Sequence, residues 1–329
     1  MRSSQFVARS VIALGAAAVC ATVSGPAGAQ AFPSKPVEFV VHTAAGGGTD
    51  LFARTVAEII TREKLLAQPV TIANRVGGSG TVAFSYVKAK RGDPHVVLTI
   101  ATGTLLTAAS QPDFGMGLDI YTPLAFFALD PQVVAVVAGS KFASFKDLIE
   151  AGRREPNTIA ASIASAGGSA RLLLYQIERE TGARYKYVAF KSGAEAALAV
   201  LGGHVPFTTE NLSEMFTQVE AKKMRVLAVT GNRRLTVLPD VPTLQELGYP
   251  IVVGTGRGFA MPAGVPKEAA MAMEAVLKQV HDSAAWRDFA ARNMFEDTYM
   301  GSTEFAQYLP RRREEMQGFL TYIGLGQKP

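Results

Sequence analysis

The chain has 329 residues, 48% of them hydrophobic, with 33 basic residues against 28 acidic ones and a single cysteine. A length of this order fits two domains of about 100–200 residues each and buries a large core without covalent staples. One cysteine excludes a disulfide framework. The small positive balance, with no interleaving of aromatic and basic residues, is too weak to argue for a nucleic-acid partner.

Residues 1–31 read as a secretory leader. Arg2 and Arg9 supply the positive start, Val11 to Val23 a mostly apolar run, and Ala27-Gly28-Ala29 and Ala29-Gln30-Ala31 two overlapping cleavage sites. Cleavage is expected after Ala31. The apolar run falls short of the ~18 residues that a membrane-spanning helix requires, and Ala17-Ala18-Val19 before Cys20 make a poor lipid-attachment site. Removing Arg2 and Arg9 from the 33 basic residues leaves 31 against 28 acidic ones, and no cysteine.

Beyond the leader, strand-like and helix-like runs alternate. Val37 to Val41 reads as a strand, followed by a glycine loop and a helix with Leu51, Phe52, Thr55, Val56, Ile59 and Ile60 on one face. Val70 to Ala73 and Val96 to Ile100 are predicted strands, with a helix over Thr81 to Lys90 between them. This is the rhythm of a parallel sheet covered by helices. A second series begins after Asp130-Pro131. Its predicted strands are Val133 to Val137, Thr158 to Ala161, Tyr185 to Phe190, Val205 to Thr208 and Arg225 to Thr230. Its predicted helices are Phe145 to Arg154, Ser169 to Thr181, Ala194 to Leu201 and Leu212 to Ala221. From Pro266 the chain reads as mostly helical (Lys267 to His281, Ala284 to Ala291, Thr303 to Tyr322), and these late helices are expected to return to the first sheet. The expected organisation is therefore a leader at 1–31, a discontinuous first lobe of 32–129 plus 255–329, and a second lobe of 130–254, hinged near Leu129 and Thr255.

Four loop-to-helix junctions share one composition: Ala44 to Asp50 (AAGGGTD), Thr102-Gly103-Thr104, Ala166-Gly167-Gly168-Ser169 and Lys191-Ser192-Gly193. Each follows a predicted strand, so each falls at the edge where open α/β sheets bind ligands. Glycine lets the backbone approach a ligand closely, and a helix start offers unpaired N–H groups and partial positive charge to an anion. Turn and capping chemistry explains any one junction, whereas four of them, two per lobe, point to a cleft that clamps an anion. Arg171, in the first turn of a predicted helix, opposes the helix dipole by ~0.3–1 kcal/mol unless an anion relieves it; the alternative is that it reaches water. Arg257, between glycines, suits a two-point grip on a carboxylate or a structural ion pair. His42 ends the first strand beside the glycine loop. Glu210-Asn211 sits at the same edge as lining groups, with Asn211 also suited to cap a helix.

Signs of catalysis are sparse. His42, His95, His204 and His281 are scattered and form no H-E-x-x-H pair, no G-x-S-x-G elbow occurs, and Gly46-Gly47-Gly48 lacks the Lys-Ser or Lys-Thr of a phosphate loop. Ser79 and Ser169 read as turn or capping residues. No cofactor or metal site is expected.

In the order and spacing of several short marks the chain resembles the Bug/TctC family, the extracytoplasmic solute receptors of tripartite tricarboxylate transporters. The marks include Phe32 to Val37 (FPSKPV), Ala45 to Asp50 (AGGGTD), Gln68-Pro69-Val70, Asn74 to Gly78 (NRVGG), Glu210-Asn211-Leu212 and Arg225 to Thr230 (RVLAVT). Leu238 to Thr243 (LPDVPT) and Pro262 to Pro266 (PAGVP) complete the series. The resemblance implies a periplasmic binding protein-like (type II) Venus flytrap with two α/β lobes, a hinge and a carboxylate-bearing ligand in the cleft. Carried over residue by residue, the ligand would meet Ala45, Gly46, Gly47, Gly48 and Thr49; Thr102, Gly103 and Thr104; Gly167, Gly168 and Ser169; Ser192 and Gly193; and Glu210. His42 and Thr43 stand where relatives often have Pro-Phe or Pro-Tyr, Ala166 to Arg171 replaces an Asn-Gly-Thr-Ser-Ser-His run, and Glu210 stands for a common Asp. With Arg171 and Arg257 added, the expected ligand is a small organic anion with more than one negative charge. The expected protein is a periplasmic monomer that delivers this ligand to membrane transporter subunits and is not an enzyme. A sensor that docks a signalling kinase and an exported α/β enzyme are the alternatives; the missing nucleophile–base pair speaks against the enzyme.

Overall fold

The computed structural model describes residues 32–103, 105, 120–231 and 233–324; the leader assigned to 1–31, and Thr104, lie outside them. In chain order the elements are β1 (Val37–Val41), α1 (Gly48–Arg62), β2 (Val70–Asn74), α2 (Thr81–Ala89), β3 (Val96–Ala101), β4 (Tyr121–Pro131), β5 (Val133–Val137) and α3 (Phe145–Arg154). They continue with β6 (Ala160–Ile163), α4 (Ser169–Thr181), β7 (Lys186–Ala189), α5 (Gly193–Leu201), β8 (Phe207–Thr208), α6 (Phe216–Glu220) and β9 (Met224–Val229). The last are β10 (Gly254–Pro262), α7 (Lys267–Asp282), α8 (Ala284–Arg292), β11 (Glu296–Gly301), α9 (Ser302–Glu315) and α10 (Gln317–Tyr322).

The strands form two sheets. The first has the order β11-β4-β10-β3-β1-β2 and the second β7-β6-β8-β5-β9. β1 pairs in parallel with β2 and β3, as the alternating pattern predicts. The rest of the first sheet is antiparallel: β10 runs against both β3 and β4, and β11 against β4. β4 and β11 are strands that the sequence reading did not assign. β4 is buried along most of its length and carries no two-residue alternation to announce it. In the second sheet β6 lies parallel to β7 and β8, and β5 antiparallel to β8 and β9.

Apolar faces set this packing. α1 lays Phe52, Val56, Ile59 and Ile60 on the first sheet. There the Phe52, Phe127, Phe259 and Trp286 rings form an aromatic knot, with Phe127–Trp286 and Phe52–Phe259 centroids 4.9 Å apart, a spacing that suits aromatic pairs. The second sheet is covered by α3 and α4 through Phe145, Leu148, Leu173 and Ile177. One residue, Gln132, separates β4 from β5, so the chain leaves the first sheet at Pro131 and rejoins it at Gly254. The tail does not stay on the first sheet as expected. α9 packs Phe305 and Leu309 there, but Met316 and Phe319 join the core of the second sheet. The helix expected over Leu212 to Ala221 is broken at Met215 into a 3-10 turn, Leu212–Glu214, and the short α6. Among the described residues no helix is long and apolar enough to cross a membrane.

Candidate ligand-binding cleft

The C-terminal edges of the two sheets face each other across a cavity of about 210 Å³. From the first sheet, His42, Thr43 and Thr49 line it between β1 and α1, Val76 to Gly78 and Gly80 after β2, and Thr255 and Arg257 on β10. From the second sheet come Ala164 to Ala166 and Gly168 to Ala170 at the start of α4, Ala189 to Lys191 after β7, and Glu210, Asn211 and Glu214 after β8.

The starts of α1 and α5 do meet, but they meet around a side chain of the protein itself. A Cβ at Gly47 would lie 3.0 Å from the Cβ of Ser192, and Ala44 N donates to the Lys191 carbonyl at 3.3 Å. Into this junction the 3-10 turn Leu212–Glu214 delivers the Glu214 carboxylate. Gly48 N at the start of α1 donates to Glu214 Oε1. A Cβ at Gly193, the first residue of α5, would overlap Glu214 Oε2. The carboxylate therefore fills the anion seat that two helix dipoles create. Glu210 lies beside it: its Oε1 accepts from Ala164 N, and a Cβ at Gly193 would be 2.9 Å from its Oε2. Burial, and then the neighbouring Glu214 charge, raise Glu210 well above its ordinary value. Burial also raises Glu214, with Arg257 pulling the other way. The two carboxyls are hydrogen-bonded to each other, a contact that raises Glu210 further and lowers Glu214.

Arg257 is buried, and its guanidinium is committed. Nε donates to Asp130 Oδ2 at 3.1 Å, one terminal nitrogen donates to the same oxygen, and the other donates to Thr49 Oγ1 at 2.8 Å. Asp130 is fully buried and accepts from Ser213 Oγ at 3.1 Å. Burial pushes its carboxyl above the ordinary value, and Arg257 draws it back. Arg257 thus lines the cavity and forms the internal ion pair that its sequence setting also allowed. Arg171 is not among the residues that line the cavity. It is buried away from the cleft, donating to Glu178 at 3.5 Å and to the Tyr322 hydroxyl at 2.8 Å, with its guanidinium over the Tyr187 and Tyr322 rings.

Of the remaining expected residues, His42, Thr43, Thr49, Gly168, Ser169 and Glu210 line the cavity. Ser169 Oγ bonds Thr255 Oγ1 at 2.5 Å, joining α4 to β10. Gly47, Gly48, Ser192 and Gly193 build the seat that Glu214 fills, and Ser192 Oγ caps α5 by accepting from Glu195 N at 3.2 Å. Ala45 and Gly46 are exposed, with Gly46 N donating to Asp50 Oδ2 at 2.9 Å. Thr102 is buried and accepts from Gly256 N at 3.2 Å, while a Cβ at Gly103 would lie 3.1 Å from Ser169 N. Gly167 N donates to Ser165 Oγ at 3.3 Å. Sequence reasoning missed the Gly77-Gly78-Ser79-Gly80 run as a wall, although its glycines were the signal. It also missed Glu214, four residues after Glu210.

His42 is 6% exposed and pulled down to about 4 by burial first and by the Arg257 charge second, so its imidazole is neutral. Its Nδ1 and the neighbouring Thr43 Oγ1 are buried with no hydrogen-bond partner among the described residues. Buried polar atoms are nearly always satisfied, and both residues line the cavity.

A family model described as "Tripartite tricarboxylate transporter family receptor" matches residues 52–325. The chain is 27% identical over 297 residues to Protein BugT of Bordetella pertussis, covering 86% of this chain and 88% of that one. In fold it is similar to the periplasmic binding protein BugD, with a TM-score of 0.83, 23% identity, and coverage of 90% of this chain and 100% of that one. It is also similar to MatC of Rhodopseudomonas palustris with bound malate, with a TM-score of 0.79, 23% identity, and coverage of 86% and 98%.

Proposed function

The chain belongs to the tripartite tricarboxylate transporter receptor family, and on that premise we propose that it captures a small carboxylate-bearing metabolite in this cleft and delivers it to membrane transporter subunits. The observation that carries this reading is the pair of orphaned buried atoms, His42 Nδ1 and Thr43 Oγ1, on the wall of a two-sided cavity. The start of α4 at Gly168-Ser169 and the backbone of Gly77-Gly78 add amide-rich walls, which suit an anionic group. The malate bound to a protein of the same fold accords with this class of ligand.

Delivery requires the protein to work outside the cytoplasm, and the leader-like residues 1–31 supply the export signal. Capture is a hinge closure in which the ligand favours the shut state. The hinge lies at the passages between the sheets, at Gln132 and just before Gly254. The lobes are then 32–131 with 254–315, and 133–253 with the final helix. The receptor acts as a monomer.

The test is thermal unfolding against a panel of mono-, di- and tricarboxylic acids at millimolar concentration. A ligand at 100 times its Kd stabilises the folded state by about 2.7 kcal/mol, a clear rise in melting temperature. An unchanged midpoint across the whole panel refutes the reading.

A further inference from the structure

We propose that the C-terminal segment is a strap between the lobes: α9 is fixed to the first, α10 is locked to the second through Arg171, and the taut link between them limits how far the cleft opens. This goes beyond the identity of the ligand and rests on the reading of the molecule as a hinged receptor.

Three observations carry the proposal. First, the two hinge passages lie side by side, with Pro131 and Gly254 paired in register, which leaves the lobes free to rotate about that line. The C-terminal segment makes a third crossing. α9 packs Phe305 and Leu309 into the core of the first sheet, whereas Met316 and Phe319 are buried in that of the second. Met316 alone separates α9 from α10, and its N–H still donates to the Arg312 carbonyl at 3.1 Å, so the crossing has no slack. Second, a buried polar lock ties α10 down. The Tyr322 hydroxyl accepts from Arg171 at 2.8 Å and donates to Glu178 Oε2 at 2.9 Å, which uses its one proton. The Tyr175 ring lies against that of Tyr322, with centroids 4.6 Å apart. The lock gives the buried Arg171 a task that lining the cleft does not. Third, Arg171 belongs to the first turn of α4, two residues after Ser169, which lines the cavity. The strap therefore holds the same turn that forms a wall of the cleft. A receptor kept near its closed form gives up less affinity to closure.

The experiment measures lobe spacing in the ligand-free protein. Without its leader the chain has no cysteine, since Cys20 is the single one. Spin labels at Val82→Cys on α2 and Lys186→Cys on β7, both exposed, report the spacing by pulsed electron resonance. A Gly-Ser-Gly-Ser insertion between Glu315 and Met316 keeps both anchors and adds up to about 13 Å of reach. It is expected to extend the spacing distribution to longer distances while the α10 amides stay protected from hydrogen exchange. Tyr322→Phe serves should the insertion unfold the protein; loss of the lock is expected to speed exchange across Gln317–Tyr322 and to lengthen the spacing likewise. The spacing is a readout that a mere loss of stability leaves unchanged in the folded protein. A distribution identical to the parent's in the folded insertion variant, or in Tyr322→Phe where that variant is used, overturns this inference and leaves the organic-acid reading standing. Because no ligand is present, an acid panel without response overturns that reading and leaves the strap standing.

Discussion

Asp130→Ala tests whether the cleft floor is a structural ion pair. The substitution strands the Arg257 guanidinium, which is 2% exposed and donates twice to Asp130 Oδ2. It also removes the acceptor of Ser213 Oγ, a contact reaching over from the second sheet's side. Breaking a buried pair by deleting one partner costs about 3–5 kcal/mol, mostly because the remaining charge is left without compensation. At about 2–4 °C per kcal/mol, the melting temperature is expected to drop by roughly 6–20 °C. The assay is urea and thermal unfolding of four proteins: the parent, Asp130→Ala, Arg257→Met and the double variant. The double variant is expected to lose less than the sum of the singles, with a coupling of about 0.5–3 kcal/mol. Strictly additive losses, or a cost below about 1 kcal/mol for Asp130→Ala, would show that the guanidinium finds solvent or another partner, and the argument from burial would fail.

Two other outcomes can be checked directly. His42 titrates near 6.5 when exposed and near 4 in the fold. Between those values the unfolded chain binds a proton that the folded one refuses, so this contribution to stability is intact above pH 6.5 and is lost as pH falls towards 4. At 1.36 kcal/mol per unit the full effect is roughly 3 kcal/mol. Glu210 and Glu214, both raised, push the opposite way as they gain protons. The informative quantity is therefore the difference between the parent and His42→Gln in urea unfolding from pH 7 to 4, and parallel pH curves refute the assignment. Gly193→Ala puts a methyl group where the Glu214 carboxylate sits, and is expected to cost about 1–3 kcal/mol as an overpacked site. Combining it with Glu214→Ala should recover most of that loss, and a double variant no more stable than Gly193→Ala would show that Glu214 does not fill the space.

Local pattern revealed much of this architecture. β1, α1 and β3 follow from short apolar runs and a one-faced stripe, and the glycine junctions fall on the sheet edges that line the cleft. What stayed hidden depends on distant partners. Arg257 finds Asp130, 127 positions earlier, and Arg171 finds Tyr322, 151 positions later, so neither pairing leaves a mark on the surrounding residues. β4 is buried on both faces and shows no alternation. The role of Glu214 turns on the break at Met215, where a continuous helix would aim that side chain elsewhere.

The position of β10 between β3 and β4 has a consequence for how the molecule comes into being. A chain emerging from its N-terminus presents β1, β2 and β3 early, yet the strand that joins them to β4 ends only at Pro262. Every strand of the second sheet emerges before that. The strands of the second sheet can thus pair first, although Met316 and Phe319 complete its core only at the end, while the earliest strands wait with an open edge. Such distant pairing slows assembly and leaves partly formed sheets prone to association. A nascent chain of this topology needs either protection or speed until residue 262 is free.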